Sequence, residues 1–190
     1  GGGVIELVVT DLKKSFDGRP VLDGLSFTAP VGLTRIAGNS GIGKTTLLRI
    51  LLGLERADSG TAAPKDLRWS AVFQEDRLLE HLDAAGNLRF ALGAAYDGKR
   101  AAALLEALGL GAVGSKRVRD FSGGMKRRLA LARALLAPCD ALALDEPFTG
   151  LDAGNRDIAL SCILRAAEKK IVLLAAHEAL DLPDARTVQM

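Results

Sequence analysis

The chain is short of cysteine, histidine and aromatic residues, and each shortage removes a class of protein. Two cysteines, Cys139 and Cys162, lie far apart and without CxxC or histidine spacing. That excludes a disulfide-stapled miniprotein and a cysteine-based zinc site, and makes a reducing, cytoplasmic setting the expectation. Histidine occurs only at positions 81 and 177. The aromatic residues number eight (6 Phe, 1 Trp, 1 Tyr), too few and too scattered to interleave with basic residues as a single-stranded nucleic-acid platform does. The longest apolar stretches, such as Ala141 to Leu144 and Ile171 to Ala176, fall well short of the roughly 20 residues needed to cross a bilayer. Charge is nearly balanced: 25 Lys and Arg against 23 Asp and Glu leave +2. So small an excess names no partner, and nucleic acid is not expected.

What is present fits a soluble globular chain. At 190 residues, 48% hydrophobic and 25% charged, it is long enough for one compact unit, or slightly more, with a sizeable core. It opens with Gly1-Gly2-Gly3 and no methionine, which reads as a processing or cloning remnant and is set aside from fold reasoning.

The patterning alternates strand and helix. Val4 to Thr10 and Val21 to Ala29 read as strands joined by a turn at Asp17-Gly18, giving an antiparallel edge. Leu33 to Ala37 is a short apolar strand, followed by a Gly-rich loop and a helix over Thr45 to Leu52 with Leu47, Leu48, Leu51 and Leu52 on one face. Asp58-Ser59-Gly60 marks a turn, and Leu67 to Phe73 another strand. Two helices, broken near Gly93, fill Asp83 to Leu110. Then come a helix opening after Ser122 and stopped by Pro138, a strand at Ala141 to Leu144, a helix over Ala153 to Glu168, and a strand at Ile171 to Ala176. Strands reading Ala-Leu-Ala-Leu and Ile-Val-Leu-Leu, with no polar alternation, require a mostly parallel sheet covered on both faces, so the fold class is α/β.

Residues 38 to 45 read Gly-Asn-Ser-Gly-Ile-Gly-Lys-Thr, a match to G-x-x-x-x-G-K-[ST] in the strand-to-helix setting that the motif demands. Glycines let the backbone wrap close enough for successive N–H groups to face phosphate oxygens, and the following helix adds its positive amino end. Lys44 supplies a point charge toward the β- and γ-phosphates, and the Thr45 hydroxyl a ligand for Mg²⁺. A nucleoside triphosphate is the expected ligand. Asp145 and Glu146 follow directly on the apolar strand at its carboxyl end, where ligands bind in open α/β sheets. A paired acid there also serves as a cap or solvated turn. Beside a phosphate loop, the first carboxylate suits Mg²⁺ and the second suits deprotonation of an attacking water.

Together with Phe121-Ser122-Gly123-Gly124-Met125, these motifs resemble the nucleotide-binding domain of ATP-binding cassette (ABC) ATPases over nearly the whole chain. The family's signature is usually Leu-Ser-Gly-Gly-Gln; here the Ser-Gly-Gly core stands and two flanking positions differ. Met125 in place of Gln removes a polar side chain and leaves the backbone donors, so binding is expected to tolerate it. The resemblance implies a P-loop core with an antiparallel β subdomain and a small helical subdomain at about 80 to 138. It also implies a nucleotide held by Phe16, Gly38, Asn39, Ser40, Gly41, Ile42, Gly43, Lys44, Thr45 and Thr46 of one copy and by Ser122, Gly123, Gly124 and Asp152 of a second. The copies would stack head to tail, as a homodimer or a pair of related ATPases.

Further roles follow from the same resemblance. Gln74, ending a strand, looks like the family's Q-loop glutamine, which reaches Mg²⁺ or the attacking water and responds to the membrane partner. Its segment, Val72 to Leu79, resembles that of bacterial importers, with Asp76 standing where proline is frequent. Asp152, in Gly150-Leu151-Asp152, matches a loop that touches the opposite subunit, and His177 matches the switch histidine at the γ-phosphate. Phe16 falls where the family stacks a ring on adenine, although a core phenylalanine would read the same way. Lys44, Gln74, Glu146 and His177 are thus the implied catalytic set, and Thr45, Gln74 and Asp145 the implied metal set. The resemblance also implies ATP and Mg²⁺ as cofactors and transmembrane permease subunits as partners, with the chain peripheral on the cytoplasmic face of the membrane.

Lys116 to Arg133 holds seven Lys or Arg against the single acid Asp120, and reads as a solvated face. Two other readings compete with a transport ATPase. A soluble ABC-type ATPase of DNA repair or the ribosome would carry a long coiled coil between its motifs or a second cassette, and neither is here. A small-molecule phosphotransferase would leave Ser122-Gly123-Gly124 and His177 unexplained. The chain ends 13 residues beyond His177, so regulation by a C-terminal extension is expected to be absent or removed.

Overall fold

The computed structural model describes residues 5–38, 41–176, 182 and 185–190. Two sheets divide the strands. An antiparallel sheet, in the order β2-β1-β4, comprises β1 (Glu6–Phe16), β2 (Arg19–Pro30) and β4 (Ser59–Ala63). A five-stranded sheet, in the order β5-β6-β7-β3-β8, comprises β3 (Gly32–Ala37), β5 (Trp69–Val72), β6 (Ala141–Asp145), β7 (Ile171–Ala175) and β8 (Arg186–Gln189), and its four pairings are all parallel.

The apolar character of β6 and β7 has a direct cause in the layering. All ten of their residues are buried, and alternate ones point to opposite faces. Leu142, Leu144, Val172 and Leu174 join Leu131 and Leu135 of α4 (Gly123–Leu136) and Ala159 and Ile163 of α5 (Ala153–Ala166). Ala141, Ala143, Ile171 and Leu173 pack instead with Leu47 and Leu48 of α1 (Gly41–Leu51) and with Leu7, Val9 and Leu12 of the antiparallel sheet. Each fully buried leucine contributes roughly 1.5–3 kcal/mol.

A third cluster belongs to the helical part. Ala84 and Leu88 of α2 (Ala84–Leu92), Ala101 of α3 (Gly98–Ala107) and Val118 surround Leu129 and Leu136 of α4. Helix α4 therefore serves two cores at once, which is why it is apolar on more than one side. Gly93, at φ +54°, closes α2, and Asp97 caps α3, so the break expected near Gly93 separates two helices.

Two strands depart from the expectation. Residues 58 to 60, read as a turn, instead lead into β4, which pairs with β1 from Lys13↔Ser59 to Val8↔Ala63. Its sequence, Ser-Gly-Thr-Ala-Ala, carries almost none of the β-branched or aromatic residues that mark a strand, and it lies largely exposed at an edge. Gly60, at φ +91°, lies where a Cβ would collide with the Asp11 carbonyl, so only glycine permits this approach. Strand β8, unread in the sequence, extends the parallel sheet beyond β3, and the Met190 amide donates to the Ala37 carbonyl at 2.8 Å.

Candidate nucleotide site

The carboxyl ends of β3, β5 and β6 converge, and each delivers part of the site. Directly after β3 comes the phosphate-loop sequence, whose last five residues, Gly41, Ile42, Gly43, Lys44 and Thr45, already belong to α1 and stand with Thr46 in the helix's opening turns. Lys44 is only 3% exposed and is the one lysine counted as buried among the described residues. The Thr45 hydroxyl donates to Asp145 Oδ2 at 2.7 Å, joining the phosphate-loop helix to the end of β6. Asp145 is 2% exposed.

Gln74 follows β5 and, with Thr45 and Asp145, lines one cavity of about 380 Å³ that also takes in Phe73, Arg77 and Arg133. The three residues expected at a metal are thus brought together. Their donors are a hydroxyl, a carboxylate and an amide, a hard oxygen set that suits Mg²⁺ better than a thiophilic metal. Glu146 sits one residue past β6 at φ +53°, an unusual conformation for a residue with a side chain. Its amide donates to the Ala175 carbonyl at 2.8 Å, placing it beside the end of β7.

The second group of expected residues lies around α4 and α5. Ser122 is the N-cap of α4, its hydroxyl accepting from the Met125 amide at 3.2 Å. Gly123 is open, with nothing close to where a side chain would begin, whereas a Cβ on Gly124 would come within 3.0 Å of the Gly150 carbonyl. The 150–152 loop therefore abuts the signature within one chain. Asp152 caps α5, accepting from the Asn155 amide at 2.8 Å. Phe16 ends β1 with its ring 40% exposed and the Lys14 ammonium 5.2 Å from the ring centroid, so it is not a core phenylalanine. Gly38 follows β3 immediately, while Asn39, Ser40 and His177 lie outside the described residues.

The basic stretch is a solvated face only in part: Lys116, Arg117 and Arg119 are exposed, whereas the cations of α4 are drawn inward. Arg127 and Arg128 are buried, and Arg128 donates to the carbonyls of Gly124 and Leu108. Lys126 pairs with Glu80 at 2.8 Å, and that bond holds the Glu80 carboxyl below the usual carboxylate range. Arg117 donates to the His81 carbonyl. Arg133 reaches the carbonyls of Asp76 and Arg77, and burial pulls its guanidinium below the ordinary arginine value. Of these, Lys126, Arg128 and Arg133 tie segments outside α4 to the helix. Arg127, Arg133 and Asp76 went unremarked as site-supporting residues because nothing in the spacing links positions some 50 apart. The available signal was a dense basic run beginning at the end of a helix cap.

Comparison with known proteins adds to this geometry. A family model described as ABC transporter matches residues 22–149. The chain is 37% identical over 211 residues to the aliphatic sulfonates import ATP-binding protein SsuB 1 of Rhizobium johnstonii, covering 92% of this chain and 76% of that one. It is 40% identical over 171 residues to the corresponding SsuB of Delftia acidovorans, covering 87% and 70%. To the sulfate/thiosulfate import ATP-binding protein CysA of Mycobacterium tuberculosis it is 35% identical over 199 residues, covering 94% and 57%. Among solved structures, an ABC transporter ATP-binding protein from Pyrococcus furiosus superposes with a TM-score of 0.86 at 23% identity, covering 97% of this chain and 98% of that one. That likeness shows the fold alone.

Proposed function

Since this chain belongs to the ABC transporter family as one of its ATP-binding ATPases, we propose that it hydrolyses MgATP between two such domains and drives an import permease from the cytoplasmic face of the membrane. One observation carries the reading: the 2.7 Å bond from Thr45 to Asp145, which brings the phosphate-loop helix and the acidic strand end into a single site. Among the described residues no helix is long and apolar enough to cross a membrane, so the translocation path belongs to partner subunits.

Each residue has a distinct task in this proposal. Backbone amides of the 38–46 loop and the amino end of α1 hold the β- and γ-phosphates, with Lys44 as the fixed charge. Thr45, Asp145 and Gln74 would hold Mg²⁺, which would neutralise negative charge on the phosphates. Glu146 takes a proton from water as its oxygen bonds to the γ-phosphorus; the bond to the β–γ bridging oxygen breaks, and ADP and phosphate depart. Ser122, Gly123 and Gly124 of the second copy present a capped helix amino end to the γ-phosphate, with His177 and Asp152 completing the enclosure. Phe16 offers an exposed ring to the adenine. The similar relatives bear the names of different sulfur oxyanions, so we place the choice of cargo in the permease.

Replacing Glu146 by Gln tests the assignment. Turnover is expected to fall by ~100-fold or more, as for loss of a general base, with nucleotide affinity kept within a few-fold. Undiminished hydrolysis by the variant overturns it.

A further inference from the structure

The Arg127 side chain reaches two separate loops beside the site. Its Nη1 donates to the Phe73 carbonyl at 2.6 Å, to Asp76 Oδ1 at 2.7 Å and more distantly to the Gln74 carbonyl. Its Nη2 donates to the Asp145 carbonyl at 2.8 Å and to the Glu146 carbonyl, and its Nε to that same Glu146 oxygen at 3.1 Å. The guanidinium is buried, and the partner Asp76 is only partly so.

Both loops are held in conformations they would not choose freely. Glu146 has φ +53° and Arg77 has φ +49°. A non-glycine residue keeps such a backbone only when its surroundings over-determine it. Here the surroundings are two arginines of α4: Arg127 binds the Glu146 carbonyl, and Arg133 binds the carbonyls of Asp76 and Arg77. A planar fork of donors can satisfy several carbonyls in fixed relative positions, which a lysine ammonium cannot do. Asp76 aims that fork and balances its charge, because a buried guanidinium without a carboxylate would carry a large desolvation cost.

We propose that Arg127, aimed by Asp76, is a positioning residue that locks the Gln74 segment and the Glu146 segment into one frame, so that displacing residues 73–77 moves the hydrolytic carboxylate. This rests on Glu146 being the base. Positioning errors of this kind are costly, since a misplacement of about 1 Å can cost on the order of 100-fold in rate. The strap runs mostly through backbone carbonyls, and the one loop side chain it depends on is that of Asp76.

The test is made on the full chain in its transport complex, with Asp76→Asn, Asp76→Glu and Arg127→Lys beside Glu146→Gln. Hydrogen exchange is followed in peptides spanning 72–80 and 143–151. Asp76→Asn is expected to speed exchange in both peptides and to lower kcat by about tenfold, with KM for ATP moved less than about twofold. Asp76→Glu should recover most of the rate, and Arg127→Lys should recover little, because it keeps the charge and loses the fork. Exchange that speeds only in 72–80, with kcat unchanged, overturns the proposal; so does faster exchange throughout the chain, which marks a general loss of stability. Should Arg127→Lys fail to fold, Asp76→Asn, altering one partly exposed side chain, decides alone. If Glu146→Gln keeps full turnover while Asp76→Asn loses it and opens both peptides, the base assignment falls and the strap stands.

Discussion

Lys44 and Asp145 are both almost fully buried, and neither burial is favourable without company. Asp145 has the Thr45 hydroxyl. Lys44 sits in the opening turns of α1, where the helix's own field is positive, so its ammonium gains nothing from the helix and gains much from an arriving anion. In the proposed function, nucleotide binding brings an anion to this positive field. Lys44→Met should keep or slightly raise the melting temperature without nucleotide, yet weaken ATP binding by roughly tenfold or more, about 1.4 kcal/mol. Thermal melts alone and with ATP, together with equilibrium titration, check both halves. A fall in the nucleotide-free melting temperature with unchanged affinity would contradict this.

Ser122 and Asp152 cap α4 and α5, and in the proposed function they also face the nucleotide of a second copy. Ser122 and Asp152 each accept from the amide three positions on. Asp152→Ala should therefore lower stability by about 1 kcal/mol, while Asp152→Asn, an equally good cap, should stay within a few tenths; urea denaturation distinguishes them. The elements that could be read in advance are those whose burial is complete. Strands β6 and β7 are covered on both faces, by α4 and α5 on one and by α1 and the antiparallel sheet on the other, and so carry unbroken apolar runs. The phosphate loop was legible because its glycines, lysine and threonine answer to one ligand. Strands β4 and β8 were not, since edge strands need only backbone partners and, at Gly60, the absence of a side chain. The role of Arg127 was hidden for another reason: its partners are mostly carbonyls, and a carbonyl leaves no mark in the sequence.

Across the whole molecule, the parallel sheet is also pinned at the end remote from the site. The Arg68 side chain and amide both donate to Asp140, just before β5 and β6 begin, and these bonds hold the Asp140 carboxyl below its usual range, the side-chain bond foremost. A carboxyl depressed in the folded state adds stability above its ordinary titration and loses it as pH falls through the folded value. Asp140→Asn should thus be less stable than the parent chain at neutral pH, with the gap closing below about pH 4. Melting curves across that range check the sign, and a gap that widens on acidification would contradict it.

In the proposed function, ATP joins two copies through residues 38–46 of one and 122–124 of the other. Sedimentation velocity on the Glu146→Gln chain, with and without MgATP, measures this most directly. A single-chain species without nucleotide that becomes a two-chain species with MgATP, and reverts when Ser122 is also changed to Arg, is the expected result. A chain that binds MgATP and stays single at every concentration, or that binds none, contradicts it.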